Sequence, residues 1–309
     1  MHVRIAYYNI DAKFDRFIRR IDLAQTLLFS MRLLWDFIES DFFTFAIPNT
    51  VFGFFGALAS PVLVQRPPFS GPHSPWQLSC RLPSILAFNV ANLLIFDLAN
   101  QRAPSAVAED RINKPWRPIP RGKITTDQTR RLMLAAVPQG ILIHILTWMY
   151  NDLGGGDEAF VRGMIISVAY GMFNSGSLQV AVGPEQFLST LGITWTTLIS
   201  GVILTTMQVQ DLKDREGDRT RGRKTIVLFL GEHFSRTSIA FFVCFWSCMS
   251  IFFWRLGPVL SLLYVLLAAV VMLRVLFIYS SKQGDARTWR WWCLWHASLY
   301  TLPLLKLVS

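Results

Sequence analysis

The sequence predicts an all-α polytopic bundle of about eight to nine membrane-spanning helices, and three observations carry that prediction. The 309 residues are 52% hydrophobic and only 16% charged, the composition of a membrane chain rather than a soluble one. Apolar runs of roughly 20 residues, long enough to cross a bilayer, recur from Phe43 to the C-terminus. These runs are too long and unbroken for alternating barrel strands, and backbone groups in lipid must pair within the chain, so helices follow.

The N-terminal MHVRIAYYNIDAKFDRFIRR has basic residues but no apolar core ahead of a small-residue cleavage site, so the first spanning helix is expected to act as the insertion signal. Arg16, Arg19, Arg20 and Arg32 alternate with Ile and Leu, which predicts a cationic amphipathic helix over 14–40 on the membrane surface. The chain then divides into a cytosolic segment, 1–42, and a single transmembrane domain, 43–309. The first span is placed at 43–64, interrupted by Pro48. After the loop VQRPPFSGPHSPWQ comes a second span at 83–99, then a long basic loop at 100–131. Further apolar runs lie at 132–150, 159–173, 187–209, 238–254, 258–280 and 290–308.

Positive-inside logic places the basic loops 100–131 and 211–236 on one side with the basic N-terminus. An even number of crossings must then join residue 100 to residue 211, yet three runs are counted. Two repairs restore the parity: a shortened hairpin over 124–150 broken at Pro138 and Gly140, or a re-entrant piece near 174–186. In the first case Tyr150, Asn151 and Asp152 reach the mouth of a central cavity. The WRWWCLW cluster at 289–295, beside Arg287 and Arg290, reads as an interface anchor.

The net charge of +10 sits in these few loops, as membrane topology requires, and so argues against nucleic-acid binding. Cys80, Cys244, Cys248 and Cys293 lie in or beside apolar segments without metal-ligand spacing, so neither zinc nor disulfides are expected. No glycine-rich nucleotide loop is present.

The chemistry concentrates at the ends of two apolar runs. DLKDREGD, 211–218, places Asp211, Asp214 and Asp218 within roughly 60° of one helix face. Bunched carboxylates repel one another unless a cation sits among them, and a hard divalent metal prefers oxygen ligands with substrate phosphates as partners. Lys213 lies inside the motif, and RTRGRKT follows with Arg219, Arg221, Arg223 and Lys224. The second end, NLLIFDLANQ, puts Asp97 near membrane depth with Asn100 and Gln101 three and four residues on. Beyond it, EDRINKPWRPIPRGKIT combines Asp110, Arg111, Lys114 and Arg117 with a rigid proline-rich stretch. Acids for metal and bases for phosphate, on both sides, predict a clamp for a metal diphosphate.

DRINKPWRPIPRGKIT together with DLKDREGDRTRGRKTIVLFLG resembles the UbiA superfamily of intramembrane prenyltransferases, and the resemblance runs from the first span to the last. It implies nine transmembrane helices around a cavity open to the bilayer, capped on the cytosolic side by two Asp-rich motifs. It also implies Mg2+ bridging those carboxylates to a polyprenyl diphosphate. Asp211, Asp214 and Asp218 match the second motif in full. The first departs from the family pattern: Gln101 stands four residues after Asp97 where a second Asp is usual, and RAPSAVAE is inserted before Asp110.

The expected metal ligands are thus Asp97, Gln101, Asp211, Asp214 and Asp218, the four acids among them also catalytic. Arg111, Lys114, Arg117, Lys213, Arg223 and Lys224 are the expected diphosphate ligands. The ANQ and EDRINKPWRP form resembles a fungal branch that includes sesquiterpene cyclases. That implies ionisation of farnesyl diphosphate and cyclisation to a sesquiterpene in secondary metabolism. A transferase moving the prenyl group to an aromatic acceptor is the alternative, and a degenerate isoprenoid-binding protein the third reading. Basic loops without a transit peptide point to the endoplasmic reticulum, with pathway enzymes as further partners.

Overall fold

The computed structural model describes residues 25–65, 74–136, 141–278 and 281–307. The described chain is helical apart from one two-residue antiparallel ladder, in which Val64 pairs with Leu188 and Gln65 with Phe187. Among the described residues, six helices are long and apolar enough to cross a membrane.

Helix α1 (Gln25–Leu58) passes residue 42 without a break, so the stretch from 25 onward continues into the first span; the earlier part of the amphipathic prediction lies outside the described residues. Pro48 is accommodated rather than disruptive. The turn before it, Phe42–Ala46, widens into a π-helix, which relieves the clash a proline ring makes with the preceding turn. The carbonyls loosened there find side-chain donors. Asn49 Nδ2 bonds Phe45 O at 2.6 Å, Thr50 Oγ1 bonds Ala46 O at 2.7 Å, and Tyr170 Oη donates to Thr44 O at 2.7 Å. In an apolar surrounding each orphaned carbonyl is costly, so these bonds allow the kink.

Helix α2 (Pro75–Gln101) starts on a Ser74/Gln77 capping box. Helix α3 (Pro104–Asn113) follows, so the inserted RAPSAVAE opens a helix rather than a loop. The run expected at 132–150 is two helices, α4 (Thr126–Ala136) and α5 (Ile141–Asn151). At 1.5 Å per residue each reaches only about 16 Å, half a bilayer. The break expected at Pro138 and Gly140 lies outside the described residues. Helix α6 (Ala159–Val182) overturns the re-entrant alternative, because residues 174–182 simply extend it. Its Ser177 is satisfied sideways: Asn89 Nδ2 bonds Thr50 Oγ1 at 3.0 Å and Ser177 Oγ at 2.9 Å, joining α1, α2 and α6. Gly53 lets α1 and α6 meet closely, since a Cβ there would lie 2.7 Å from the Ser177 backbone.

Helix α7 (Thr190–Val209) leads into α8 (Asp211–Arg221), the Asp-rich motif, and α9 (Glu232–Trp254), α10 (Pro258–Phe277) and α11 (Lys282–Leu299) complete the bundle. Among the described residues between the two polar loops, only α6 and α7 are long and apolar enough to cross, an even number, whereas α4 and α5 are each too short to span. The contact is direct: Asn113 Nδ2 on α3 donates to Asp214 O on α8 at 3.1 Å, so both loops lie at one end of the bundle.

The tryptophan cluster corrects the anchor expectation. Trp289, Trp292 and Trp295 are buried, and only Trp291 is exposed, because positions 289, 292, 295 and 296 share the inward face of α11. Trp292 Nε1 donates to Thr206 at 3.0 Å and Trp295 Nε1 to Ser247 at 2.9 Å. The outward faces carry Phe252, Val259 and Phe277, all exposed, as lipid-facing helices do.

Candidate active site

The polar end of the bundle gathers charged side chains from five helices. The α3–α4 connection is stiffened by Pro115, Pro118 and Pro120. It holds Arg117 buried at 3% exposure. Arg117 Nη1 donates to both oxygens of Asp110 at 3.0 and 3.1 Å, and Nη2 to Asp41 at 2.8 Å and Ser40 at 2.9 Å. Burial opposes its charge, but Asp110 and Asp41 outweigh burial and hold the guanidinium protonated beyond its ordinary range.

Each acid of the second motif has its own cation. Arg162 Nη1 of α6 meets Asp211 at 3.1 Å, Lys213 meets Asp214, and Arg223 Nη1 meets Asp218 at 3.1 Å. Burial raises Asp211, with Arg162 and Arg223 opposing. Burial also works against Asp214, but Lys213 and Lys114 pull it below the usual carboxylate range. Asp218 is pushed up to about 7 by burial and by the neighbouring Asp211. An outer ring of Glu109 and Asp157 binds Arg221 at 3.2 and 2.8 Å and Arg223 at 3.5 and 3.4 Å. Gly217 permits this docking, because a Cβ there would overlap the Asn113 amide.

A cavity of about 740 Å³ lies among these groups, and Asp211, Asp214, Asp218, Lys114, Arg117 and Arg223 all face it. Asp41, Asn100, Glu109, Tyr150 and Arg162 add to its polar wall. The other expected residues stand apart from that wall. Asp97 is fully buried one turn beyond Asn100. Gln101 turns to α1, where its amide donates to Phe37 O at 2.8 Å. Arg111 is exposed, and Lys224 pairs at the surface with Glu158 at 3.2 Å. Lys213 lines a second, neighbouring cavity. Tyr150 reaches the site as the hairpin repair required, accepting from Arg162 Nε at 3.2 Å, while Asp152 pairs with Arg102 at 2.7 Å.

Among the described residues, no three His, Cys, Asp or Glu side chains converge into a set that holds a metal unaided. The oxygen donors nevertheless fit a hard divalent ion completed by substrate. Asn100 Oδ1 and Asp218 Oδ2, both on the cavity wall, are buried with no hydrogen-bond partner, and Mg2+ takes one or two carboxylates, waters and phosphate oxygens rather than a full protein cage. Charge argues the same way. Five acids of the wall face four bases, so a multiply charged diphosphate needs an accompanying cation.

Asp41 and Arg162 are charged residues of the cavity wall that sequence reasoning missed. Arg162 left a signal, a lone guanidinium within the apolar run 159–173, where a charge is costly unless it has a partner.

Beneath the polar cavity lies an apolar chamber of about 390 Å³ that shares Phe45, Phe96, Tyr150 and Ile166 with it and adds Ile165 and Phe173. Its rings pack edge to face: Phe45 with Phe173 at 4.5 Å and Phe96 with Tyr150 at 5.3 Å.

Comparison with known proteins agrees with this arrangement. The model of the UbiA prenyltransferase family matches residues 106–299. The fumagillin beta-trans-bergamotene synthase of Aspergillus fumigatus is 30% identical over 230 residues, spanning 70% of this chain and 78% of that one. The somaliensene A/B synthase of Streptomyces somaliensis is 29% identical over 315 residues, spanning 90% and 95%. A UbiA homologue from Archaeoglobus fulgidus, solved bound to GPP and Mg2+, shares the fold with a TM-score of 0.57 at 10% identity, over 90% of this chain and 100% of that one. The family match over most of the chain, carried by a bundle whose two polar loops close on one cavity, makes this protein a member of the UbiA prenyltransferase family.

Proposed function

We propose that the protein ionises farnesyl diphosphate with Mg2+ in the polar cavity and cyclises the resulting cation to a sesquiterpene in the apolar chamber. The observation that carries this reading is the shared wall: Phe45, Phe96, Tyr150 and Ile166 belong to both spaces, so a diphosphate among the charges leaves its prenyl tail among the rings. Both relatives named above are synthases, which favours cyclisation over transfer to an acceptor.

Bound magnesium supplies electrophilic pull on the leaving diphosphate. Arg117, Lys114, Arg162 and Arg223 stabilise the charge that develops as the carbon–oxygen bond breaks and its electron pair departs with the diphosphate. Because their own partners already fix them, little reorganisation is needed at that moment. The chamber excludes water from the allylic cation, and Phe45, Phe96, Phe173 and Tyr150 present faces whose cation–π attraction contributes about 0.5 to 2 kcal/mol each. An internal double bond then supplies the electron pair for ring closure, and loss of a proton ends the sequence. The basic loops around the site support a cytosolic orientation, and this reading puts the protein in the endoplasmic reticulum membrane.

Membranes containing the protein, given farnesyl diphosphate and magnesium without acceptor, are expected to release a cyclic hydrocarbon detectable by gas chromatography–mass spectrometry. Farnesol alone, or turnover only after an aromatic acid is added, overturns the cyclase; no turnover under either condition leaves an isoprenoid-binding protein.

Asp218 sets a pH dependence of defined sign. Its value of about 7 lies above the ordinary 3.8, so protons compete with metal, and at limiting magnesium turnover falls as pH drops through 7 and recovers with excess metal. For stability without metal the sign reverses. Burial favours the protonated form, so its contribution is full below 3.8 and is lost as pH rises through 7. Asp218→Asn is therefore expected to raise stability at pH 8 in metal-free buffer by an amount on the order of 1 kcal/mol while turnover is lost. Melting curves with and without magnesium measure this; an unchanged or lowered metal-free stability contradicts it.

A further inference from the structure

A second polar cavity, of about 880 Å³, adjoins the first and shares Asp41, Thr44, Lys114, Gln210 and Asp214 with it. Its charge differs in kind. Lys114, Lys213, Lys282 and Arg290 face only Asp41 and Asp214, whereas acids outnumber bases in the first cavity. The cations are also arranged in depth. Lys114 stands in the shared wall, Lys213 lies over the Trp289 ring at 5.4 Å, and Lys282 and Arg290 are exposed at the rim with Trp116. The rim cations are only lightly engaged: Lys282 reaches Asn113 Oδ1 at 3.4 Å, and no described side chain pairs with Arg290.

The proposed reaction releases two products of opposite character from one site. A hydrocarbon partitions into the bilayer through the apolar chamber, but a diphosphate must reach water, and the way past the rings is closed to it by desolvation. A path on which basic groups increasingly outnumber acids draws an anion outward. We propose that the second cavity is a binding site for the inorganic diphosphate set free by ionisation, its route to solvent, with Lys282 and Arg290 as the outer ligands. This rests on the ionisation chemistry proposed above.

The double variant Lys282→Ala/Arg290→Ala tests it in detergent-solubilised full-length protein. Single-turnover formation of hydrocarbon is expected to stay within about twofold of the parent while steady-state turnover drops about fivefold or more, because release rather than ionisation is slowed. Calorimetric affinity for magnesium diphosphate is expected to fall about tenfold, with charge-retaining Lys282→Arg/Arg290→Lys keeping most of it. Both residues are exposed, so folding is not at stake. Unchanged steady-state turnover and unchanged diphosphate affinity overturn the proposal, as does an equal fall in single-turnover rate or displacement of an aromatic carboxylate rather than diphosphate. A parent protein that turns over no prenyl diphosphate refutes the functional reading instead, and the calorimetric arm then still decides the anion site.

Discussion

Asp211→Asn is expected to reduce prenyl diphosphate turnover by about 10³-fold or more with the fold intact. Asparagine removes the negative charge that would hold magnesium but keeps an acceptor for Arg162 Nη1, which lies 3.1 Å from Asp211 Oδ2. Loss of a single preorganised electrostatic contact in a dry site costs on the order of 10² to 10³ in rate, and loss of a metal ligand adds to it. Asp211→Ala confounds two effects, because it leaves a buried guanidinium with only Tyr150 and more distant acids, at about 3–5 kcal/mol of stability. Product analysis and a melting curve on the Asn variant separate activity from folding. A rate equal to the parent's removes the metal-site argument for the second motif altogether.

The second large effect lies outside the cavity. Asp285 on α11 is fully buried and accepts from Arg236 Nη2 at 2.8 and 3.0 Å and from Arg215 Nη2 at 3.4 Å. Arg215 belongs to DLKDREGD, and it also pairs with Glu232, which bonds Arg236 in turn at 2.9 Å. Four charges from α8, α9 and α11 thus form one closed network that pins the back of the Asp-rich helix while its front faces the cavity. Asp285→Ala leaves two guanidiniums sharing the partly exposed Glu232, and is expected to destabilise the protein by about 3–5 kcal/mol. Asp285→Asn, which keeps the acceptor oxygen, is expected to cost less. Denaturation in detergent measures both, and a loss below about 1 kcal/mol for the Ala variant shows that the network does not anchor α8. The apparent magnesium requirement is expected to rise in the same variants, since a loosened α8 no longer presents its three acids together.

Much of the architecture was legible in the sequence because lipid imposes simple rules. Length and apolarity located the long spans, and charge asymmetry placed two loops at one end before any contact was known. Periodicity alone put Asp211, Asp214 and Asp218 on one face. The misreadings are equally physical. The tryptophans of WRWWCLW were read by composition, whereas the geometry of α11 turns Trp289, Trp292 and Trp295 inward to hydroxyl partners on other helices. The stretch 174–186 was one of two repairs of the parity, but Ser177 bonds Asn89 on α2 and Asn174 Nδ2 reaches Tyr300 Oη at 3.5 Å, and α6 runs on to Val182.

By itself the sequence determined the class of chain, the rough position of most spans, the family and the two charged motifs, since each is a local property of composition, spacing or pattern. Only the tertiary structure decided how those motifs are used. It paired Asp211 with Arg162, held Arg117 against Asp41, sent Gln101 to α1 and set Asp97 behind the cavity wall. Each of these outcomes joins residues distant along the chain, and in a medium that offers buried polar groups no water, the choice of partner is made by packing.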